Sequence, residues 1–220
     1  LAADALLKAT AADFAFTNGG GIRRSIATGD ITRKDVVEVF PFGNSVLVLE
    51  VTGAQLLAAM EHGLRQYPEQ SGGFPQIAGG TLVFSAANEP GNRVMEFTIA
   101  GKPVDSAATY QVATNDFLAA GGDGFDMLKD CPVLGYLGTL DEILGKHIAE
   151  LGTITLTEEQ RVVEAFPVEE TPEATEAVEA SEATESEAED APATSPETET
   201  EAEPEGEAEV ESTPAPSQAA

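Results

Sequence analysis

All 11 lysine and arginine residues lie before Val168. From Val168 to Ala220 there are none, while 18 of the 39 aspartate and glutamate residues fall in that stretch. It repeats Thr, Glu, Ala, Ser and Pro, and Pro172, Pro192, Pro196, Pro204, Pro214 and Pro216 interrupt any helix. So little apolar area cannot offset a chain entropy of ~1–2 kcal/mol per residue. Residues 168–220 are therefore expected to form a disordered acidic tail: a spacer or terminal extension, or a tether toward a surface anchor or glycosylated stalk. Folding falls to the rest, whose length suits one domain with a proper core. There 21 acidic residues meet 11 basic ones, a charge of −10. That surface disfavours nucleic acid as a partner, but leaves room for a small anion held by one or two arginines. The single cysteine, Cys131, excludes an internal disulfide. No apolar run approaches the ~20 residues of a spanning helix.

Helix and strand patterns mix without regular βαβ spacing, so the expected class is α+β. Leu1 to about Ala11 has helical composition. Asp13–Thr17 is expected as a strand, and Arg33–Phe40 as a helix capped by Asp30 or Thr32 and stopped by Pro41. Ser45–Thr52 is a dense strand run. Ala54–Gln66 carries Leu56, Leu57, Met60 and Leu64 at helical period. Thr81–Ser85, Val94–Ile99 and Tyr110–Thr114 read as strands, with a hairpin turn at Gly101-Lys102. A helix over Leu140–Leu151 and a short strand at Thr153–Leu156 close the pattern.

Three glycine-bearing segments carry the chemistry: Asn18-Gly-Gly-Gly-Ile-Arg23, Pro41-Phe42-Gly43, and Phe117 through Gly121-Gly122-Asp123-Gly124-Phe125. Asn18 and Asp123 are hydrogen-bonding groups, Arg23 is a fixed cation with a planar donor fork, and Phe42 and Phe117 are flat apolar faces. A nucleotide needs that set: two walls for the base, an acceptor for ribose hydroxyls and a cation for phosphate. The glycines, Gly20 among them, give backbone freedom and room for a ligand to approach. Each feature has a plainer alternative: a tight turn at Asn18–Gly21, core packing for either phenylalanine, and an isolated turn at Asp123. Arg23 and Arg24 are adjacent, so at most one faces a pocket. Phe125 is expected to turn inward and hold the Asp123 turn. His62, beside Glu61, and His147 read as surface or structural histidines. No Asp/His/Asn cluster is spaced for a two-metal centre.

These segments, with Gly29-Asp30-Ile31-Thr32 and Pro41-Phe42-Gly43-Asn44, resemble in order the C-terminal domain of the 5′-nucleotidase family. That family includes UDP-sugar hydrolases, ecto-5′-nucleotidases and cyclic-nucleotide phosphodiesterase/3′-nucleotidases. The resemblance implies that residues 1–11 end an interdomain linker helix and that residues 12–160 form the nucleotide-binding domain. Phe42 and Phe117 would sandwich the base, Asp123 bind ribose hydroxyls, Asn18 contact the nucleoside and Arg23 meet the phosphate. It also implies two divalent metal ions on an N-terminal metallophosphoesterase domain of the same parent, none of them bound by this chain. Domain rotation would carry substrate to those metals. The family further implies an exported, periplasmic or surface location. The chain opens at Leu1 without Met, inside a helical pattern, so an upstream portion is expected. By itself the fragment is expected to hydrolyse nothing, while the intact parent is a hydrolase. Two other readings compete: a non-catalytic nucleoside-binding surface module, and a generic α+β domain whose glycines are turns and whose phenylalanines are core.

Overall fold

The computed structural model describes residues 1–155 and 159–165. The expected acidic tail, 168–220, lies outside the described residues. Helix α1 (Ala2–Thr10) is followed by strand β1 (Phe14–Asn18), a 3₁₀ turn over Gly19–Gly21, helix α2 (Arg33–Val39), strand β2 (Ser45–Thr52) and helix α3 (Gly53–Leu64). Next come strands β3 (Pro75–Ala78), β4 (Gly80–Phe84), β5 (Val94–Ile99), β6 (Lys102–Pro103) and β7 (Thr109–Asn115). The short helix α4 (Asp116–Ala119), strand β8 (Val133–Thr139), helix α5 (Leu140–Leu151) and strand β9 (Val162–Glu164) complete the order. Local chemistry explains several boundaries. Thr32, rather than Asp30, caps α2 in a reciprocal box with Asp35, and Thr52 does the same for α3 with Gln55.

Two mixed sheets result: a five-stranded sheet in the order β3-β1-β7-β2-β8, and a four-stranded one in the order β6-β5-β4-β9. The first is covered on both faces, and the side-chain period of two decides which residue goes where. Phe14, Phe16, Leu47, Leu49 and Val112 face a core shared with α3 and with Leu82, Phe84 and Phe97 of the second sheet. Ala15, Val46 and Ala113 face the other way, against α1, α2 and α5 through Leu6, Val36 and Ile143. The α+β class follows as expected.

Three details depart from the sequence pattern. The turn at Ala100-Gly101 closes a hairpin of β5 with the two-residue β6, and β7 then crosses to the other sheet. Residues 153–155 form no strand, and Leu156 lies outside the described residues. The closing strand is β9, parallel to β4 through Leu82↔Val162. A β-branched run becomes a strand only where a sheet edge accepts its hydrogen bonds, and the free edge of β4 meets 162–164. Strands β3 and β8 carry weak patterns of their own, because proline opens one and two glycines interrupt the other. Both are sheet edges.

Candidate functional site

Strand register gathers the three glycine segments. Strand β2 runs antiparallel to β7 with Val46 opposite Asn115, and β1 runs parallel to β7 with Ala15 opposite Ala113. The start of β2 and the ends of β1 and β7 therefore share one end of the sheet. Phe42 lies four residues before Val46, Phe117 two after Asn115, and Asn18 closes β1. An Asn44 to Asp116 side-chain hydrogen bond of 2.8 Å ties the first two segments together.

Phe42 is 63% exposed and Phe117 42%. Neither is core, so the generic-domain reading loses its account of these two rings. Each leans on something. The Arg23 guanidinium carbon lies 5.9 Å from the centroid of the Phe42 ring, a cation–π placement, while its Nη1 donates to the Gly20 carbonyl at 3.1 Å. Phe117 lies against Gly122, where a Cβ would meet the ring at 2.5 Å. A side chain at position 122 would displace that ring. Of the adjacent arginines, Arg24 is tied to Glu38 in a surface ion pair, and Arg23 is the one at the aromatic wall.

A polar chain runs through the centre. The Asn115 amide donates to Thr17 Oγ1 at 3.0 Å and to Asn18 Oδ1 at 3.3 Å, and its oxygen accepts from the Leu118 backbone, capping α4. Asn18 Nδ2 in turn donates to Asp123 Oδ2 at 2.8 Å. Asn18 and Asn115 are buried and Asp123 is half-buried. Buried amides demand partners, so this chain fixes where the carboxylate points. The Asn18 amide nitrogen is thus committed to the Asp123 carboxylate. Gly20 has a similar outcome: its amide donates to the Gly72 carbonyl at 2.8 Å, and a Cβ there would lie 2.8 Å from the Gly72 Cα. The room at Gly20 is taken by the chain's own 71–74 loop.

Phe125 turns fully inward, as expected, with Phe16 and His62 against it. The sequence did not single out Asn115, Arg65 or the 71–74 loop, although the Asn-Asp-Phe run is a helix-start signal. The half-buried His62 reaches the same segment, its Nε2 2.9 Å from the Asp123 carbonyl oxygen.

The described residues do not fit a resident metal centre. Among the described residues no three His, Cys, Asp or Glu side chains come together as ligands. His62 is committed to a carbonyl, and burial, helped by Lys8, holds the His147 imidazole below its usual pKa. A cleft of ≈ 990 Å³ lies elsewhere, bordered by Asp4, Ile22, Gln76, His147 and Arg161. Two of its charges, Asp4 and Arg161, already pair at 2.6 Å, and neither Phe42 nor Phe117 lines it. No described helix is long and apolar enough to cross a membrane.

Comparison with known proteins bears on the family and the fold. The family described as "5'-nucleotidase, C-terminal domain" matches residues 1–130. The chain is 41% identical over 166 residues to the trifunctional nucleotide phosphoesterase protein YfkN of Bacillus subtilis, covering 72% of this chain and 11% of that protein. It is also 41% identical over 130 residues to the protein UshA of Escherichia coli, covering 59% and 22%. The chain therefore spans only a small part of the curated relatives it matches. Among solved structures, a 5′-nucleotidase precursor from Thermus thermophilus superposes with a TM-score of 0.69 at 34% identity, over 74% of this chain and 34% of that one.

Proposed function

Because the chain belongs to the 5′-nucleotidase family, as that family's C-terminal domain, we propose that it is the substrate-binding half of a nucleotide phosphohydrolase. Phe42 and Phe117 take the base between their outward faces. The Asp123 carboxylate accepts hydrogen bonds from ribose hydroxyls, with Asn18 holding it in place, and Arg23 pairs with phosphate. Ester cleavage then belongs to a metallophosphoesterase domain of the same parent, with divalent metals bound there and the whole acting outside the cytoplasm. The residues of this chain contribute binding, orientation and charge pairing.

The observation that carries the reading is the convergence at one sheet end. Two exposed aromatic faces, an arginine fork and one braced carboxylate come from segments far apart in sequence, joined by the Asn115–Asn18–Asp123 chain. Internal packing does not account for exposed phenylalanines beside a buried polar chain.

A thermal-shift panel tests it. AMP and adenosine should raise the melting temperature of the chain. Asp123→Ala should remove the part of the shift that depends on ribose hydroxyls, and Arg23→Ala the part that depends on phosphate. A flat response to every nucleoside and nucleotide overturns the reading. Phosphate release from AMP with Mn²⁺ or Zn²⁺ present should stay at background for the chain alone. Turnover would refute the division of labour.

A further inference from the structure

Asp123 is held from two sides. Its carboxylate is turned by Asn18, and its main-chain carbonyl is turned by a different part of the molecule. That carbonyl oxygen lies 2.9 Å from His62 Nε2 and 3.2 Å from Arg65 Nη2. A carbonyl can only accept, so Nε2 carries the proton and donates. Arg65 is itself fixed, its Nη1 donating to the His62 carbonyl at 2.7 Å. The His62 ring meets Phe125 edge-on, with centroids 4.9 Å apart. Both donors stand on the C-terminal turn of α3, at or just beyond its end.

The geometry of residue 123 requires such a grip. Asp123 adopts φ 53° and ψ 15°, the left-handed region that non-glycine residues seldom occupy. Glycines flank it on both sides, so the local sequence offers little resistance to rotation of its peptide. A Cβ at Gly124 would sit 2.9 Å from His62 Nε2. The smallness of position 124 is thus what lets the imidazole reach the carbonyl.

We propose that His62, seconded by Arg65, is a positioning residue for ribose recognition: by holding the Asp123 carbonyl it sets where the carboxylate meets the 2′- and 3′-hydroxyls. This rests on the ribose role proposed for Asp123. Removing the imidazole donor frees the Asp123 peptide to turn, and the carboxylate then points at the sugar only part of the time. Contacts to base and phosphate come from Phe42, Phe117 and Arg23, and the hydrogen bond and ring pairing of His62 go to Asp123 and Phe125 instead, so those contacts are spared.

The test is calorimetric titration of the full chain with adenosine and with 2′,3′-dideoxyadenosine. The ratio of the two dissociation constants isolates hydroxyl recognition. The wild-type chain should prefer adenosine, and Asp123→Ala should bring the ratio close to one. His62→Phe keeps the ring against Phe125 but has no donor, and should cut the preference about fivefold to tenfold, the weight of one well-made hydrogen bond. His62→Gln, whose Nε2 can occupy the same place, should restore most of it, and Arg65→Met should give a smaller loss. A merely structural role would weaken both ligands equally and leave the ratio unmoved. If His62→Phe fails to unfold cooperatively, Arg65→Met carries the same measurement. A preference abolished by Asp123→Ala but untouched by His62→Phe and Arg65→Met overturns the positioning role while leaving the ribose role intact. No preference in the wild-type chain sinks the ribose role, and the positioning role with it.

Discussion

The two aromatic walls are built differently. The Phe117 wall belongs to a segment that is tied down throughout. Asn115 caps α4, Gly122 lies beneath the ring, Asp123 is gripped at carboxylate and carbonyl, and Phe125 is fully buried among Phe16 and His62. The Phe42 wall stands on the short Pro41–Asn44 connection. It is tethered through Asn44 to Asp116, and the Arg23 cation lies against its ring. One wall is braced by the core and the other rests on surface contacts. Under the proposed function, the Phe117 face would stay fixed while the Phe42 face and the Arg23 cation adjust together.

The largest test of that contrast compares two phenylalanines. Phe125→Ala should destabilise the fold by ~3–5 kcal/mol, the cost of emptying a buried aromatic site, read in urea unfolding. Phe42→Ala should change stability by no more than ~0.5 kcal/mol, as for a surface position away from buried features. Equal losses would erase the distinction. Next in size, Asn115→Ala should cost ~1–3 kcal/mol, because it strips buried groups of their partners. It should weaken adenosine binding as well, since Asn18 loses the bond that sets its amide. Stability lost with binding unchanged would separate the polar chain from the site. Third, Phe42→Ala should weaken nucleotide binding by ~1–3 kcal/mol, the worth of one base–aromatic stack, measured by titration with AMP. An unchanged affinity would remove one wall from the proposal.

The smallest effect is electrostatic and lies on the braced side. Lys129 hydrogen-bonds the Asp126 carboxylate at 2.6 Å and holds it below the ordinary value of 3.8. A carboxylate whose pKa is lowered by folding adds stability above its unfolded pKa, and that contribution is lost as pH falls through the folded value. The pair is exposed, so the effect is modest. Melting temperature should fall slightly more in wild type than in Asp126→Asn as pH drops below the ordinary carboxylate range. Identical acid profiles would show that the pair does not tie the segment down.

Much of the fold was legible because it is encoded locally. Helix α5, strands β2 and β5, and the capped start of α2 follow from periodicity and from the capping chemistry of Thr32, whereas the Thr52–Gln55 box that starts α3 went unread. The edge strands were not legible. Pro75 and the glycines of Val133–Thr139 weaken any strand pattern, and only pairing with β1 and β2 makes strands of them. The misplaced closing strand has the same cause, since β-branched residues near 153–155 have propensity but no edge to join.

The sequence by itself determined the kinds of groups available. Two planar rings, an arginine fork, an amide and a carboxylate stand beside glycines, because residue chemistry and backbone permissiveness are properties of single positions. It also placed Phe125 inward and left Arg23 or Arg24 to serve. Tertiary structure decided which groups act on which. Asn18 and Asp123 are 105 residues apart, and His62 and Asp123 are separated by 61. Only the crossing of β1 beside β7, and the packing of α3 beneath the Asp123 turn, brings their hydrogen-bonding atoms within reach. The same packing claimed the space at Gly20 for the 71–74 backbone. Propensity acts along the chain, whereas burial and hydrogen-bond satisfaction act through space, and this site is built by the second.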